Sequence, residues 1–264
     1  HVIVALPGRE VDKIKSVIKV GEQHAKRVRV IPDYHAYTKS ASFSFIGSMP
    51  LISPRPVLLD DPELRLFKRI IDLVITGFAF IFIFSWLFPA IALLIKLTSK
   101  GPVFFMQKRW GVHKFPINCY KFRTMTADCS DIDEKGKYQQ AIKNDPRVTK
   151  IGKFLRKTSL DELPQFINVL KGSMSIVGPR PHPIPLSLES KDKINDYMRR
   201  NLVNPGITGW AQINGYRGET RNPEKMQARI NHDIWYIENW SFWLDMQIIL
   251  QTVINIFKGD KNAY

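Results

Sequence analysis

Hydrophobic positions change their period several times along the chain. Val2 to Leu6 form a short apolar run closed by Pro7-Gly8, which predicts a buried strand and a turn. Val11, Ile14, Val17, Ile18 and Gly21 fall on one helical face, predicting a helix from Arg9 to about His24. Val28, Val30 and Ile31 predict a second strand that stops at Pro32. Two strands and a helix are too few to bury a stable core, so this region reads as the tail of an α/β unit. From about Thr38 to Pro62 serine and proline accumulate without periodicity, which predicts a linker.

Leu73 to Ile95 then runs for 23 residues without a charge. As a helix it reaches roughly 35 Å, against about 30 Å of bilayer hydrocarbon. Lys68 and Arg69 precede it, and Lys96, Lys100, Lys108 and Arg109 follow it. Positive charge on both flanks fits a hairpin with both ends on the cytoplasmic side better than a crossing. Pro89 removes the helix hydrogen bond to the Ser85 carbonyl, and the Ser85 hydroxyl or a water is available to satisfy it. The prediction is a re-entrant helix at about 67–97, kinked near Ser85 to Pro89. Beyond Gly101-Pro102, Val103 to Phe105 and Ile117 to Phe122 predict a hairpin, and the acidic stretch 128–137 a mobile loop, with ion binding as the alternative. Trp235, Tyr236, Trp240, Phe242 and Trp243 precede an apolar helix, Met246 to Phe257, too short to span. Such a cluster suits a headgroup interface, with a soluble aromatic core as the alternative.

Composition narrows the partners. A net charge of +15 on 264 residues calls for nucleic acid, anionic lipid or a phosphate-rich small substrate. Cys119 and Cys129, ten residues apart, match no zinc pattern and make no disulfide framework, so reduced thiols and a cytoplasmic face are expected. The chain begins at His1 rather than Met, and the natural protein is expected to begin upstream; no signal peptide opens the sequence.

The candidate chemistry centres on Thr158 to Gln165, where Asp161 and Glu162 are adjacent carboxylates before Leu163, Phe166, Ile167 and Leu170 at helical spacing. Ser159 and Glu162 match a capping box, whereas Pro164 favours a start nearer Asp161. Either start puts both carboxylates at the positive end of a helix, where they cap it or meet a phosphate. An ionised Asp that approaches phosphorus forms a phosphoacyl bond, provided cations intervene. Lys121, Arg123, Arg147, Arg156 and Arg180 are the available cations, and Pro179 and Pro181 restrict the backbone of Arg180. Asn204 to Gln212 opens with a Pro-Gly turn, and Asn214 to Thr220 adds a second glycine-rich bend. His182 and His232 read as packing or surface residues. No Walker, dinucleotide-binding, zinc or Ser/His/Asp pattern competes.

From Phe67 to Tyr264 the chain resembles the bacterial polyprenyl-phosphate sugar phosphotransferases, the monotopic phosphoglycosyl transferases. The markers are Lys121 to Met125, Asn144 to Thr149, Thr158 to Asn168, Met174 to His182 and Pro205 to Thr220. Arg217 to Thr220 and Lys261 to Tyr264 are similar to the subgroup that transfers glucose-1-phosphate from UDP-glucose. The resemblance implies a membrane-embedded monotopic α+β catalytic domain over 57–264, preceded at 1–56 by a remnant of an α/β nucleotide-binding-like domain plus linker. It implies Asp161 as nucleophile, Glu162 as its support, Mg²⁺ held by both, and UDP-hexose and polyprenyl phosphate as substrates at the inner membrane's cytoplasmic face. Lys121, Arg123, Arg156, Arg180 and Arg217 become candidate diphosphate and nucleotide contacts. Asp233 and Asp245 match acidic positions of the family. A homo-oligomer is admitted among its partners, and nucleic acid is not. One departure touches the kink: the family breaks its membrane helix at Ser-Pro, and here Trp86 follows Ser85. The rivals are the same reaction with galactose or an N-acetylhexosamine, and a non-enzymatic basic membrane-anchored module, which leaves the Asp161-Glu162 motif without purpose.

Overall fold

The computed structural model describes residues 2–4, 10–23, 28–30, 42–47, 49–53, 55–126, 129, 145–218 and 222–258. The chain divides into two compact units, His1–Pro56 and Val57–Tyr264. In the first, β1 (Val2–Val4) pairs in parallel with β2 (Val28–Val30), and α1 (Val11–Gln23) connects them. The expected linker corrects to a hairpin: β3 (Ser42–Ile46) pairs antiparallel with β4 (Met49–Ser53). Ser-Phe-Ser-Phe there is a period-two pattern that the serine content disguised, and Gly47, at φ +59°, supplies the turn. The acidic stretch 128–137 lies outside the described residues except for Cys129, as do Glu219, Thr220 and residues 261–264.

The second unit is α+β. It opens with α2 (Pro62–Ala79), continues through a π-helical turn at Phe80–Phe84 and ends as α3 (Ser85–Thr98). Asp61 caps α2 by accepting from the backbone N–H of Glu63 at 2.8 Å and of Leu64 at 3.3 Å, with Pro62 following at the position where no N–H is needed. The irregular turn sits upstream of Pro89, where the Ser85 N–H reaches back to the Phe80 carbonyl. The Ser85 hydroxyl donates to Ile81 at 2.8 Å. One face of this long helix is buried along its length, at Lys68, Asp72, Thr76, Ala79, Phe84, Ile91 and Ile95. The other face is exposed and apolar, with Val74, Phe78, Ile81, Phe82, Trp86, Leu93 and Leu97 outside.

Next come the antiparallel pair β5 (Phe104–Trp110) and β6 (Pro116–Phe122), then α4 (Lys150–Lys157) and α5 (Gln165–Leu170). They are followed by β7 (Ser175–Val177), α6 (Ile184–Ser190), β8 (Gly206–Thr208) and α7 (Trp210–Ile213). The chain closes with α8 (Pro223–Glu238) and α9 (Phe242–Lys258). β7 and β8 pair in parallel. Pro205-Gly206 therefore enters a strand instead of forming a turn. Glycine is required there because a Cβ at Gly206 would lie 2.1 Å from the Gly178 nitrogen. Asn214-Gly215 does bend, with Gly215 at φ +88°.

The main core joins Cys119 of β6, Val169 of α5, Ile176 and Val177 of β7, and Tyr236, Trp240, Leu244 and Ile248 of the last helices. A second cluster packs Ile91 and Ile95 of α3 on Phe122 and Leu155. The C-terminal aromatics divide between the two expected roles: Tyr236 and Trp240 are core residues, whereas Trp235 and Trp243 face outward. α9 carries Leu250, Val253 and Ile256 on its exposed side as well.

Candidate active site

The sequence around Asp161 folds locally in a way neither expected helix start describes. α4 is capped by Thr149, whose hydroxyl accepts from the Gly152 N–H at 3.0 Å, and ends at Lys157. Ser159 then takes the left-handed conformation at φ +59°, makes no side-chain cap, and launches a single 3₁₀ turn, Leu160–Glu162. Pro164 stands at the N-cap of α5. Asp161 and Glu162 thus sit in a tight corner between two short helices, both buried. Asn168 locks this corner to the hairpin: its amide donates to the Asn118 carbonyl at 2.7 Å and its oxygen accepts from the Tyr120 N–H at 3.0 Å. That register delivers the next residue of β6, Lys121, to Glu162.

Glu162 is held by two cations. Lys121 Nζ donates to Oε1 at 2.7 Å, and Arg180 binds both oxygens, Nη1 to Oε2 at 2.8 Å and Nη2 to Oε1 at 2.5 Å. Burial alone would raise the Glu162 carboxyl, but Arg180 and Lys121 outweigh it and hold it well below the usual range. Asp161 differs in kind. No described residue donates a hydrogen bond to its carboxylate. Burial pushes its pKa up to about 6, Lys121 pulls it down, and the neighbouring Glu162 charge pushes it up again. A proton therefore leaves Asp161 near neutrality rather than in the ordinary carboxylate range.

The other predicted cations separate into two groups. Arg156 Nε donates to the Thr124 hydroxyl at 2.8 Å, and its charge favours ionised Asp161. Thr124 is kept in place by α4: a Cβ at Gly152 would lie 2.0 Å from the Thr124 carbonyl oxygen, so the two backbones touch. Arg217 Nη2 donates to the Ser159 hydroxyl at 2.7 Å, and its charge reaches Glu162. Arg123 is elsewhere: its guanidinium binds the carbonyls of Ser99, at 3.0 Å, and Lys100, at the end of α3. Arg147 pairs with Asp145 at 2.7 Å.

Sequence reasoning did not single out Arg200, the residue that fixes Arg180. Arg200 donates to the Arg180 carbonyl and pairs with buried Asp233 at 2.8 Å. His182 sits against it, bonded to the Tyr197 hydroxyl at 2.7 Å. Burial, then Arg200 and Arg229, push the His182 pKa well below its usual value, so it is neutral. Nothing local marks Arg200, because its partners lie 20 and 33 residues away in sequence. Asp245 likewise has a partner in a distant helix, Lys68 at 2.5 Å.

The two carboxylates were also tested as Mg²⁺ ligands. Among the described residues no group of three or more His, Cys, Asp or Glu side chains gathers. Mg²⁺ commonly takes one or two carboxylates and completes its shell with water and substrate phosphate. The uncommitted Asp161 oxygens fit that pattern. Glu162 fits it only by releasing Lys121 or Arg180.

This corner of two carboxylates among cations belongs to a known class. Residues 63–259 match the family described as bacterial sugar transferase, and the chain belongs to that family. It is 44% identical over 270 residues to a UDP-glucose:undecaprenyl-phosphate glucose-1-phosphate transferase of Klebsiella pneumoniae, covering 100% of this chain and 56% of that protein. It is 51% identical over 202 residues to the Escherichia coli K12 protein of the same description, covering 76% of this chain and 42% of that one. A UDP-N-acetylgalactosamine-undecaprenyl-phosphate N-acetylgalactosaminephosphotransferase of Aeromonas hydrophila is 43% identical over 202 residues, covering 76% of this chain and 46% of that protein. The family resemblance carried by the motifs is borne out. The chain spans about half the length of these three relatives.

Proposed function

We propose that this chain carries the catalytic part of an enzyme that moves a hexose-1-phosphate from a UDP-hexose to a polyprenyl phosphate. Glucose-1-phosphate from UDP-glucose is the preferred group, as the descriptions of the Klebsiella and Escherichia relatives suggest. The observation that carries the reading is the asymmetry of the pair: Glu162, held by Lys121 and Arg180, beside an Asp161 whose carboxylate accepts no hydrogen bond from the described residues.

With Asp161 ionised above about pH 6, one of its oxygens attacks the phosphorus that bears the sugar. The bond from that phosphorus to the bridging oxygen breaks, and its electron pair leaves with UMP. The sugar phosphate stays on Asp161 as an acyl phosphate. An oxygen of the lipid phosphate then attacks the same phosphorus, the bond to Asp161 breaks, and the carboxylate is restored. Glu162 is a positioning residue that keeps Lys121 and Arg180 beside the place where phosphate charge accumulates. Arg156 and Arg217 flank the corner and add positive field. When bound, Mg²⁺ neutralises diphosphate charge and eases departure of UMP. Asp161 would be its protein contact.

The long helix is read as re-entrant, at the inner membrane with the site on the cytoplasmic side. Residues Pro62–Thr98 are apolar enough to cross a bilayer. Yet the N-terminal part is tied to the catalytic unit through Lys68 and Asp245, and the C-terminal end through Arg123 and the packing of Ile95. A crossing would put the two ends on opposite sides of the bilayer, whereas both are fastened to the same catalytic unit. The soluble donor and the membrane-borne acceptor must also meet on one side.

The test is intact-protein mass spectrometry after brief exposure to UDP-glucose, UDP-galactose or UDP-N-acetylhexosamines without lipid. A hexose-phosphate adduct on Asp161, largest with UDP-glucose, is expected. The 43% identity to the Aeromonas relative supports a second reading in which an N-acetylhexosamine is preferred, and the same assay separates the two. An adduct mapped to any other residue overturns the mechanism.

A further inference from the structure

In the β5–β6 hairpin Phe105 stands directly opposite Lys121. Side chains alternate between the faces of a strand, so Phe105, Gln107 and Arg109 share a face with Lys121, Cys119 and Ile117. That face closes toward the core: Cys119 is fully buried and Arg109 nearly so. It opens at the other end, where Phe105 is 38% exposed. An exposed aromatic ring therefore lies one cross-strand pair, about 5 Å at Cβ, from the lysine that binds Glu162. On the opposite face of the same strand end, Phe104 stacks on Phe122 at 5.5 Å between centroids, and Phe122 meets Phe88 of α3 edge-on at 5.1 Å. Phe104 thus ties the strand end to Phe88 of α3 through buried Phe122, on the face away from Lys121.

Uracil and sugar faces also stack on aromatic rings, but this ring and cation lie on the hairpin that begins six residues beyond the end of α3, and the pairing suits the membrane-borne substrate. It matches a ligand that changes from anion to hydrocarbon across one ester bond. We propose that this end of the hairpin seats the head of the polyprenyl monophosphate acceptor, with its phosphate at Lys121 and its first isoprene units against Phe105. The chain then leaves around the strand end toward α3. The assignment deepens the reading above and rests on it for the identity of the acceptor. It supplies that reading's second step with a place from which the lipid phosphate approaches the corner holding Asp161.

The experiment uses the chain in phosphatidylcholine–phosphatidylglycerol vesicles with a short polyprenyl monophosphate carrying a diazirine in its second isoprene. After irradiation, the label is expected on the peptide containing residues 103–107. Unlabelled polyprenyl phosphate should compete for it, and added phosphatidylglycerol should not. Phe105→Ser should lower labelling about tenfold, and Phe105→Leu should keep it. Label confined to other segments, or equal competition by phosphatidylglycerol, overturns the proposal. The parent map decides the matter even where a variant folds poorly. Labelling needs no turnover, so it stands or falls separately from the Asp161 adduct.

Discussion

Two buried lysine–carboxylate pairs in the same unit are built to opposite ends. Lys68 pairs with Asp245 at 2.5 Å, and Asp245 also accepts from the Tyr236 hydroxyl at 2.8 Å and the Trp240 indole at 3.1 Å. One turn further along α2, Asp72 accepts from the Ile176 N–H at 3.1 Å. In that cluster every charge meets an opposite charge or a donor, and it fastens α2 to α9 and β7. The Lys121–Glu162 pair, at 2.7 Å, has a similar length, but it adds Arg180, and no described residue donates a hydrogen bond to the neighbouring Asp161 carboxylate. A satisfied cluster holds the fold together. The proposed function uses the second kind of cluster, in which two cations share one carboxylate beside a second carboxylate.

That contrast can be broken first at Asp161. Asp161→Asn should lower turnover by about 10⁴-fold or more, since an amide supplies no ionised oxygen. Its melting temperature should not fall. The raised pKa means that the ionised form is disfavoured in the folded protein, so removing the charge relieves a cost. A loss of melting temperature in step with activity would make Asp161 a structural residue like Asp245.

Lys68→Met tests the opposite member. It leaves Asp245 buried beside two neutral donors and should cost about 3–5 kcal/mol of stability, read from chemical denaturation. A near-normal midpoint would mean that the apolar helix is held by packing alone.

The pH profile is the next largest effect. Asp161 is protonated below about 6, so the rate of adduct formation should fall as pH drops through 6 and be about tenfold lower at pH 5 than on the plateau. Glu162 contributes no step there, because it stays ionised well below that pH. A profile flat down to pH 5 would place the reacting group outside the raised Asp161.

The smallest expected change is at Arg217. Its contact with Ser159 lies at the rim of the corner, so Arg217→Gln should raise the KM for the UDP-hexose severalfold, with kcat changed less and stability unaffected. An equal fall in kcat would move Arg217 into the transition state.

Much of this arrangement is legible in the chain itself. The uncharged run from Leu73 to Ile95, the Asp161-Glu162 pair and Arg180 between two prolines each carry a local signal, because hydrophobic period and backbone restriction act over a few residues. Lys121, Arg156 and Arg180 are legible as cations near such motifs, Arg217 follows from the family resemblance, and the four converge on this corner. Arg123 came from the same motif as Lys121, yet strand alternation sends the two to different partners, and the carbonyls at the end of α3 take Arg123. The hairpin at 42–53 was missed because serine content masked its alternation.

What tertiary structure alone decided is the division of labour between adjacent carboxylates. Asp161 and Glu162 look equivalent in sequence, and both were expected at one helix terminus. Their difference arises because β6 and the Arg180 loop, distant in the chain, deliver two cations to Glu162, and none of the described cations bonds Asp161. Electrostatic energy at a buried site depends on such contacts at a few ångströms, and no local pattern encodes which residues provide them.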